Sequence, residues 1–296
     1  MPEVEIDGHT LTVSNLDKVL YPEVGFTKAQ VIEYYVRIAP TALAHLGDRG
    51  LTLRRFPDGV ERPGFFEKRC PSHRPAWVGT APGPGDRGGP IGYCVLDSVA
   101  ALAWAANLAA LELHAPMARA GDPDTPTLVV FDLDPGEPAA MQACCEVALD
   151  IRDVLESVDL AAWPKTSGSK GLQLYVPLNS PTTHDQAKDF ALAVARLLER
   201  RSPALVTTDM ARNLRPGKVL VDWSQNSRHK TTIGVYSLRA RPRPTVSTPV
   251  SWDEVAAAAD GRAELVFTAS DVLERVAALG DLFAGTATLV QRLPQA

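Results

Sequence analysis

The stretch Phe131-Asp-Leu-Asp-Pro-Gly136 decides how this chain is read. It closes the apolar run Leu128-Val-Val-Phe-Asp132, and Pro135-Gly136 then turns the chain, so the pattern predicts a strand running into a turn. Strand side chains alternate between faces, which projects Asp132 and Asp134 from the same one. A second apolar strand, Lys218-Val-Leu-Val221, ends on Asp222 in Val221-Asp-Trp-Ser-Gln-Asn226. Three carboxylates brought together repel unless a cation sits among them. Oxygen-only ligands of this kind suit Mg²⁺ or Mn²⁺, and paired ions serve phosphoryl and nucleotidyl transfer. Asp-x-Asp is short and common, so by itself the first pair reads equally as a solvated strand end with an Asp-Pro-Gly turn.

Bulk properties bound the rest. The 296 residues are 45% hydrophobic and 22% charged, ordinary values for a soluble globule with ample length for a core. A net charge of −5 argues against indiscriminate coating of nucleic acid but leaves room for a local basic groove. The cysteines, Cys70, Cys94, Cys144 and Cys145, form no CxxC pair, so neither a zinc site nor a disulfide framework is expected, and reduced cytoplasmic thiols follow. Met1-Pro-Glu-Val-Glu-Ile6 lacks the apolar core of a signal peptide. The most apolar stretch, Val99 to Leu113, is too short to span a bilayer and predicts a buried helix capped by Asp97 or Ser98.

Helix starts are marked by capping boxes at Thr27-Lys-Ala-Gln30, Thr183-His-Asp-Gln186 and Thr268-Ala-Ser-Asp271, the last helix ending near Gly280. Pro138 suits the first turn of a helix running to about Glu156. Strands are expected at Leu51–Phe56, Ile91–Leu96, Leu128–Asp132, Leu172–Pro177, Val219–Asp222 and Thr232–Tyr236. Mixed with four or five helices, these give an α/β or α+β reading. Pro82 to Pro90 reads as an exposed loop or hairpin tip, and the residues after about Gly285 as a weakly specified tail.

Several segments have the composition of anion-binding apparatus. Thr166-Ser-Gly-Ser-Lys-Gly171 offers small residues, hydroxyls and the charge of Lys170, or is simply a polar turn. It is not a Walker A loop, because a strand follows it. From Arg212 to Arg243 eight Lys or Arg residues face one acid, Asp222, giving eight minus one, +7, in an acidic chain. Arg54-Arg-Phe-Pro-Asp-Gly59 and Phe65-Phe-Glu-Lys68 interleave cations with aromatics, as a base-stacking platform or as core. Lys18 lies in Asn15-Leu-Asp-Lys-Val-Leu-Tyr-Pro22, and Lys28 stands in a first helical turn, where it opposes the helix dipole unless an anion is recruited there.

Phe-Asp-Leu-Asp-Pro-Gly136, Thr-Ser-Gly-Ser-Lys-Gly171, Val-Asp-Trp-Ser-Gln-Asn226 and Lys230-Thr-Thr-Ile-Gly-Val-Tyr-Ser-Leu-Arg239 occur here in the order seen in the archaeo-eukaryotic primase superfamily. More narrowly, the chain resembles the polymerase domain of bacterial DNA ligase D and its stand-alone primase-polymerase relatives, from Asp17 to about Phe283. The resemblance implies one primase-polymerase domain over 1–296, with an N-terminal α/β portion over about 1–120. The catalytic core over 121–296 is an RRM-like antiparallel sheet flanked by helices. No ligase or phosphoesterase module is seen, so a free-standing or excised form is expected.

Carried over by position, the resemblance implies that Asp132, Asp134 and Asp222 hold two Mn²⁺ or Mg²⁺ ions. Ser167, Ser169 and Lys170 would take the triphosphate, with His114, Arg239, Arg54 and Gln225 at the incoming nucleotide. Phe65 and Phe66 would stack on a base. Lys18 and Lys28 match a pocket for the 5′-phosphate across a gap, and Arg215, Lys218 and Lys230 the nucleic-acid track. The implied activity is template-dependent addition of nucleotides, preferentially ribonucleotides, to a primer 3′-hydroxyl during DNA repair. Implied partners are gapped or end DNA, NTP or dNTP, Ku and a separate ATP-dependent ligase, for a monomer in the bacterial cytoplasm. A non-catalytic DNA-end binder and a metal-dependent nuclease are the competing classes. One departure stands out: Gly171-Leu-Gln173 replaces the family's Gly-Leu-His, so nucleotide affinity or preferred metal is expected to differ while the chemistry survives.

Overall fold

The computed structural model describes residues 2–85 and 89–294. The chain divides into two compact units whose sequences interleave. One takes the residues up to Gly121, Thr231–Ser247 and Phe267–Gly280; the other takes Asp122–Lys230, Thr248–Val266 and the residues from Asp281.

In the first unit, β1 (Gly50–Arg55), β2 (Phe65–Glu67), β3 (Gly79–Pro84), β4 (Pro90–Val95) and β5 (Ala110–Ala115) form an antiparallel sheet. Its order is β5-β1-β4-β3, with the short strand Thr232–Ile233 outside β5 and β2 paired to β1. Helix α1 (Lys28–Leu46) starts at the expected Thr27–Gln30 capping box and packs on α2 (Val99–Asn107). The buried Tyr34 and Tyr35 of α1 donate their hydroxyls to the carbonyls of Tyr236 and Leu111, both at 2.7 Å. The helix Ala269–Leu279 begins at the expected Thr268–Asp271 box and stops before Gly280, whose φ of 71° only glycine adopts cheaply.

Three expectations in this unit are corrected. The apolar run Val99–Leu113 is helix only to Asn107; Ala109, at φ 56°, turns the chain, and Ala110–Ala115 is a strand pairing with β1. Both forms are largely buried, so apolar content alone could not separate them. Thr232–Tyr236 is strand only at Thr232–Ile233. Cys70 and Cys94 are joined in a disulfide, because the segment at Cys70 runs beside β4, its N–H donating to Gly92 O at 2.8 Å. The hairpin expected around Pro82–Pro90 is present as β3–β4, while its tip, residues 86–88, lies outside the described residues.

In the second unit, the chain runs β6 (Leu128–Pro135), α3 (Met141–Glu156), β7 (Trp163–Thr166), β8 (Leu172–Pro177), α4 (His184–Arg201), β9 (Val206–Thr207) and β10 (Val219–Asp222). The sheet order is β7-β8-β6-β10-β9, antiparallel except for the parallel pair β9–β10. Without the short β9 this is the βαββαβ arrangement of the expected RRM-like core. Val129, Phe131 and Leu133 of β6 are fully buried, and the Phe131 ring meets Phe190 of α4 at 6.4 Å. Alternation therefore places Asp132 and Asp134 on the opposite face.

Pro138 is not in a helix: α3 begins at Met141, behind the N-cap Ala140. Helix α5 (Trp252–Ala259), behind its own Ser251–Glu254 capping box, was not anticipated. The stretch after Gly285 is also built in rather than trailing. It forms the short helix Gly285–Thr288, and the Gln291 side chain then donates to the carbonyls of Ala161 and Pro177 at 3.0 and 2.8 Å. Among the described residues, no helix is long and apolar enough to cross a membrane.

Asn226 shows how the motif around Asp222 serves the fold. The β6–β10 ladder starts only at Asp132, and the wholly buried Asn226 side chain continues it by binding Val130 N and O, both at 2.8 Å. Asn226→Ala strands both backbone groups in the core and is expected to lower stability by about 2–4 kcal/mol in urea unfolding.

Candidate active site

Register brings the carboxylates of the second unit together. Asp132 on β6 stands directly across from Asp222 on β10, and Asp134 lies two residues along the same face. Burial, then the charge of Asp134 and later that of Asp222, push the Asp132 carboxyl well above its ordinary range, against the hydrogen bond from Gln173. Asp222 is held by its own turn: Oδ1 accepts from Ser224 N and Oγ at 2.9 and 2.6 Å, and Oδ2 from Gln225 Nε2 at 2.9 Å. With the side chains so disposed, no three His, Cys, Asp or Glu groups among the described residues stand in metal-holding geometry. The donor set nonetheless fits a hard divalent ion, being three carboxylates on one face, with Asp132 and Asp222 directly opposed. Gln225 therefore faces Asp222 rather than open space.

On the other side of Asp132, Gln173 and Lys165 complete a row across the sheet. Gln173 Nε2 donates to Asp132 Oδ1 at 2.9 Å, and its Oε1 accepts from the buried Lys165 ammonium at 2.5 Å. Gln173 thus passes a cation's influence to the carboxylate, a role its polarity permits in either direction because an amide both donates and accepts. Lys165 went unnoticed in the sequence, being an ordinary lysine beside a more conspicuous loop.

That loop, Thr166–Gly171, is the β7–β8 hairpin turn. Ser167 Oγ accepts from Ser169 N at 3.3 Å and Gly171 N at 3.2 Å, so its hydroxyl shapes the turn. Gly171 is demanded by packing: a Cβ there would lie 2.3 Å from Leu133 O. Lys170, 65% exposed, pairs with the still more exposed Glu137, a contact that solvent leaves weak. A cavity of about 500 Å³ opens beside Ser169 and Lys170, lined also by Pro135, Met141 and Leu265. Past the end of β6, Gly136 touches the Arg215 backbone, where a Cβ would meet Arg215 O at 2.1 Å, and Gly136 N donates to Lys218 O at 2.8 Å. Arg215 Nη2 donates to Met210 O, and its buried Nε has no protein partner. For Lys230, only a backbone bond to Ser227 O, at 2.9 Å, is seen.

In the first unit, pairing aligns Phe66, Arg54 and Glu112 across β2, β1 and β5, with His114 two residues beyond Glu112 on the same face. Phe65 and Phe66 are 45% and 58% exposed, a costly display for aromatics that suits a stacking platform. The Arg54 guanidinium lies over the Phe56 and Phe66 rings at 4.9 and 5.1 Å, that of Arg55 over Phe65 at 5.4 Å, and the Phe66 ring meets His114 edge-on at 5.4 Å. Beneath them Glu112, 1% exposed, binds Arg54 Nη1 and Arg239 Nε at 3.1 Å and His114 Nε2 at 3.0 Å. Burial raises the Glu112 carboxyl, but the His114 hydrogen bond and the Arg239 charge outweigh it and hold the group well below its usual range. Burial pushes His114 below its ordinary value, with Glu112 opposing. Sequence reading passed over Glu112 as an interruption in an apolar helix; as a strand residue two places from His114, it would have been noticed.

Lys18 and Lys28 are neighbours, joined by Lys28 N to Lys18 O at 2.8 Å. Lys18 pairs with Asp58 at 2.9 Å, while the Lys28 ammonium donates to Ser14 O at 2.7 Å. Burial, then the charges of Lys18 and Arg55, lower the Lys28 pKa.

Known proteins resemble this chain over most of its length. The family model described as the LigD primase-polymerase domain matches residues 27–283. The multifunctional non-homologous end joining DNA repair protein LigD of Mycobacterium tuberculosis is 45% identical over 280 residues, 92% of this chain and 36% of that protein. The bifunctional LigD of Bacillus subtilis is 29% identical over 267 residues, 90% of this chain and 42% of that protein. The chain thus spans well under half the length of these curated relatives. Among solved structures, the polymerase domain from Mycobacterium tuberculosis Ligase D in complex with DNA aligns with a TM-score of 0.88 at 44% identity, covering 94% of this chain and 98% of that one. The chain belongs to the LigD primase-polymerase domain family, a class of nucleotidyltransferases.

Gln173→Met keeps side-chain length but removes both polar ends from a buried row. Denaturant unfolding is expected to show a loss of about 1–3 kcal/mol, since Asp132 and Lys165 each give up a partner.

Proposed function

We propose that this chain is a template-dependent DNA-repair polymerase of the primase-polymerase type, one domain over residues 1–296, filling short gaps at DNA ends. The observation that carries the reading is Asp132 facing Asp222 across paired strands with Asp134 on the same face. Asp132, Asp134 and Asp222 would hold divalent ions, manganese or magnesium and two per site. Such ions supply a lowered pKa for the primer 3′-hydroxyl and neutralisation of the leaving pyrophosphate. The protein's own groups do the remaining work. Gln173 orients Asp132, while Gln225 must release Asp222 for ligation. Lys170 and Ser169 take the triphosphate, and Phe65 and Phe66 receive a base on their exposed faces. Arg54, His114 and Arg239 contact the nucleotide, with ribonucleotides preferred.

Gapped DNA with a 5′-phosphate, NTP or dNTP, Ku and a separate ligase are the partners this reading calls for, in the bacterial cytoplasm. Arg215, Lys218 and Lys230 would follow the nucleic-acid backbone. The adjacency of Lys18 and Lys28 supports the 5′-phosphate pocket.

Primer extension on a gapped duplex with Mn²⁺ and ribonucleotides tests the reading. Product should lengthen with the wild type and fall roughly 100-fold or more with Asp132→Asn or Asp222→Asn, while gap binding persists. Shortening of the primer would mark a nuclease, and binding without any product a non-catalytic end binder. Lys18→Ala is expected to cut the preference for a 5′-phosphorylated gap about 10-fold in competition binding, the worth of one charge-assisted hydrogen bond. Gln173→His should change the KM for nucleotide or the preferred metal; identical kinetics with both metals would remove any role for the substitution in affinity.

A further inference from the structure

We infer that Glu112 is the positioning residue of the nucleotide pocket, a single buried carboxylate that sets the aim of Arg54, His114 and Arg239 together. The inference deepens the reading above and rests on those three side chains contacting the nucleotide.

Glu112 spends all its acceptor capacity on this one task. Oε2 takes Arg54 Nη1 and His114 Nε2; Oε1 takes Arg239 Nε and the backbone N–H of Ala240, at 3.0 Å. The partners come from three separate stretches of chain: β1, β5 and the segment after Thr232–Ile233. Long cationic side chains lose much rotamer freedom when fixed, and a buried anion shared among them is an economical way to fix three at once. Glu112 thereby fixes Arg239 through Nε and Arg54 through Nη1. Arg54 Nε is a buried donor with no protein partner, as expected of a group reserved for a ligand. One carboxylate also fails to neutralise the cations around it. Two guanidinium groups, Arg54 and Arg239, share the one carboxylate, which leaves net positive charge for an anionic substrate. Bonding to Glu112 further selects the tautomer of His114, whose Nε2 donates and whose Nδ1 is then free of a proton while the ring is neutral.

Two variants separate aim from mere stability. Glu112→Gln keeps the shape but replaces one acceptor oxygen with a donor that faces a cation. Glu112→Asp keeps the charge and withdraws it by about one methylene, roughly 1.5 Å. Each is examined for melting temperature, binding to a 5′-phosphorylated gapped duplex, and steady-state incorporation of a ribonucleotide with Mn²⁺. His114→Ala and Arg239→Ala serve as reference variants. The expected result for Glu112→Asp is a KM for nucleotide raised about 10-fold or more, a kcat changed far less, gap binding as in the wild type, and a melting temperature within a few degrees. Glu112→Gln should raise the KM further, whether or not its melting temperature falls. If the reference variants raise the KM while Glu112→Asp leaves it at the wild-type value, the positioning role is overturned and the nucleotide pocket stands. If the reference variants themselves leave the KM unchanged, the pocket assignment fails, and the role of Glu112 with it.

Discussion

Two like charges facing each other across a β-ladder, Asp132 and Asp222, are the constraint around which the second unit is built. Opposed carboxylates weaken a strand pair, so the surrounding structure has to hold the register for them. It does so from both flanks. Asn226 extends the pairing past the end of β10, Gly136 locks against the Arg215 backbone, and Gly171 lets the hairpin turn press on Leu133. A slip of one residue would send both β6 aspartates into the helical layer, where Phe131 now meets Phe190. The apolar face therefore guards the polar one.

The first unit solves the inverse electrostatic problem. There the surplus is cationic, and one buried anion organises it, with exposed aromatics laid over the guanidinium groups. In the second unit the surplus is anionic, and Gln173 mediates between it and the buried Lys165. Each unit thus gathers groups of one charge sign around a single polar mediator.

Much of this was legible in the sequence, and the reasons differ by element. Capping boxes at Thr27, Thr183 and Thr268 marked helix starts because their chemistry is local. The strands carrying Asp132 and Asp222 were legible from their apolar runs, although the first continues past Asp132 to Pro135, and the ordered motifs supplied the RRM-like topology. What failed depended on distant neighbours. Ala110–Ala115 becomes a strand because β1 pairs with it, not because its composition differs from α2. Glu112 and Lys165 matter through partners as far off as Arg239 and Asp132, which no spacing rule connects. The Cys70–Cys94 bridge likewise joins residues 24 apart, brought together where the Cys70 segment bonds to β4.

The interleaved course of the chain sets the order in which its parts can finish during synthesis. The first 121 residues leave the ribosome with β5 lacking its outer neighbour and Glu112 lacking Arg239, both supplied more than 100 residues later. Until then the nascent chain carries an open strand edge and an incompletely paired interior acid, features that invite chaperones or wrong partners. By contrast, β6 through β10 emerge in one continuous stretch and complete their sheet without waiting. A cut near residue 121 would consequently yield one fragment with most of a sheet and another that carries away the strand and the arginine the first still needs.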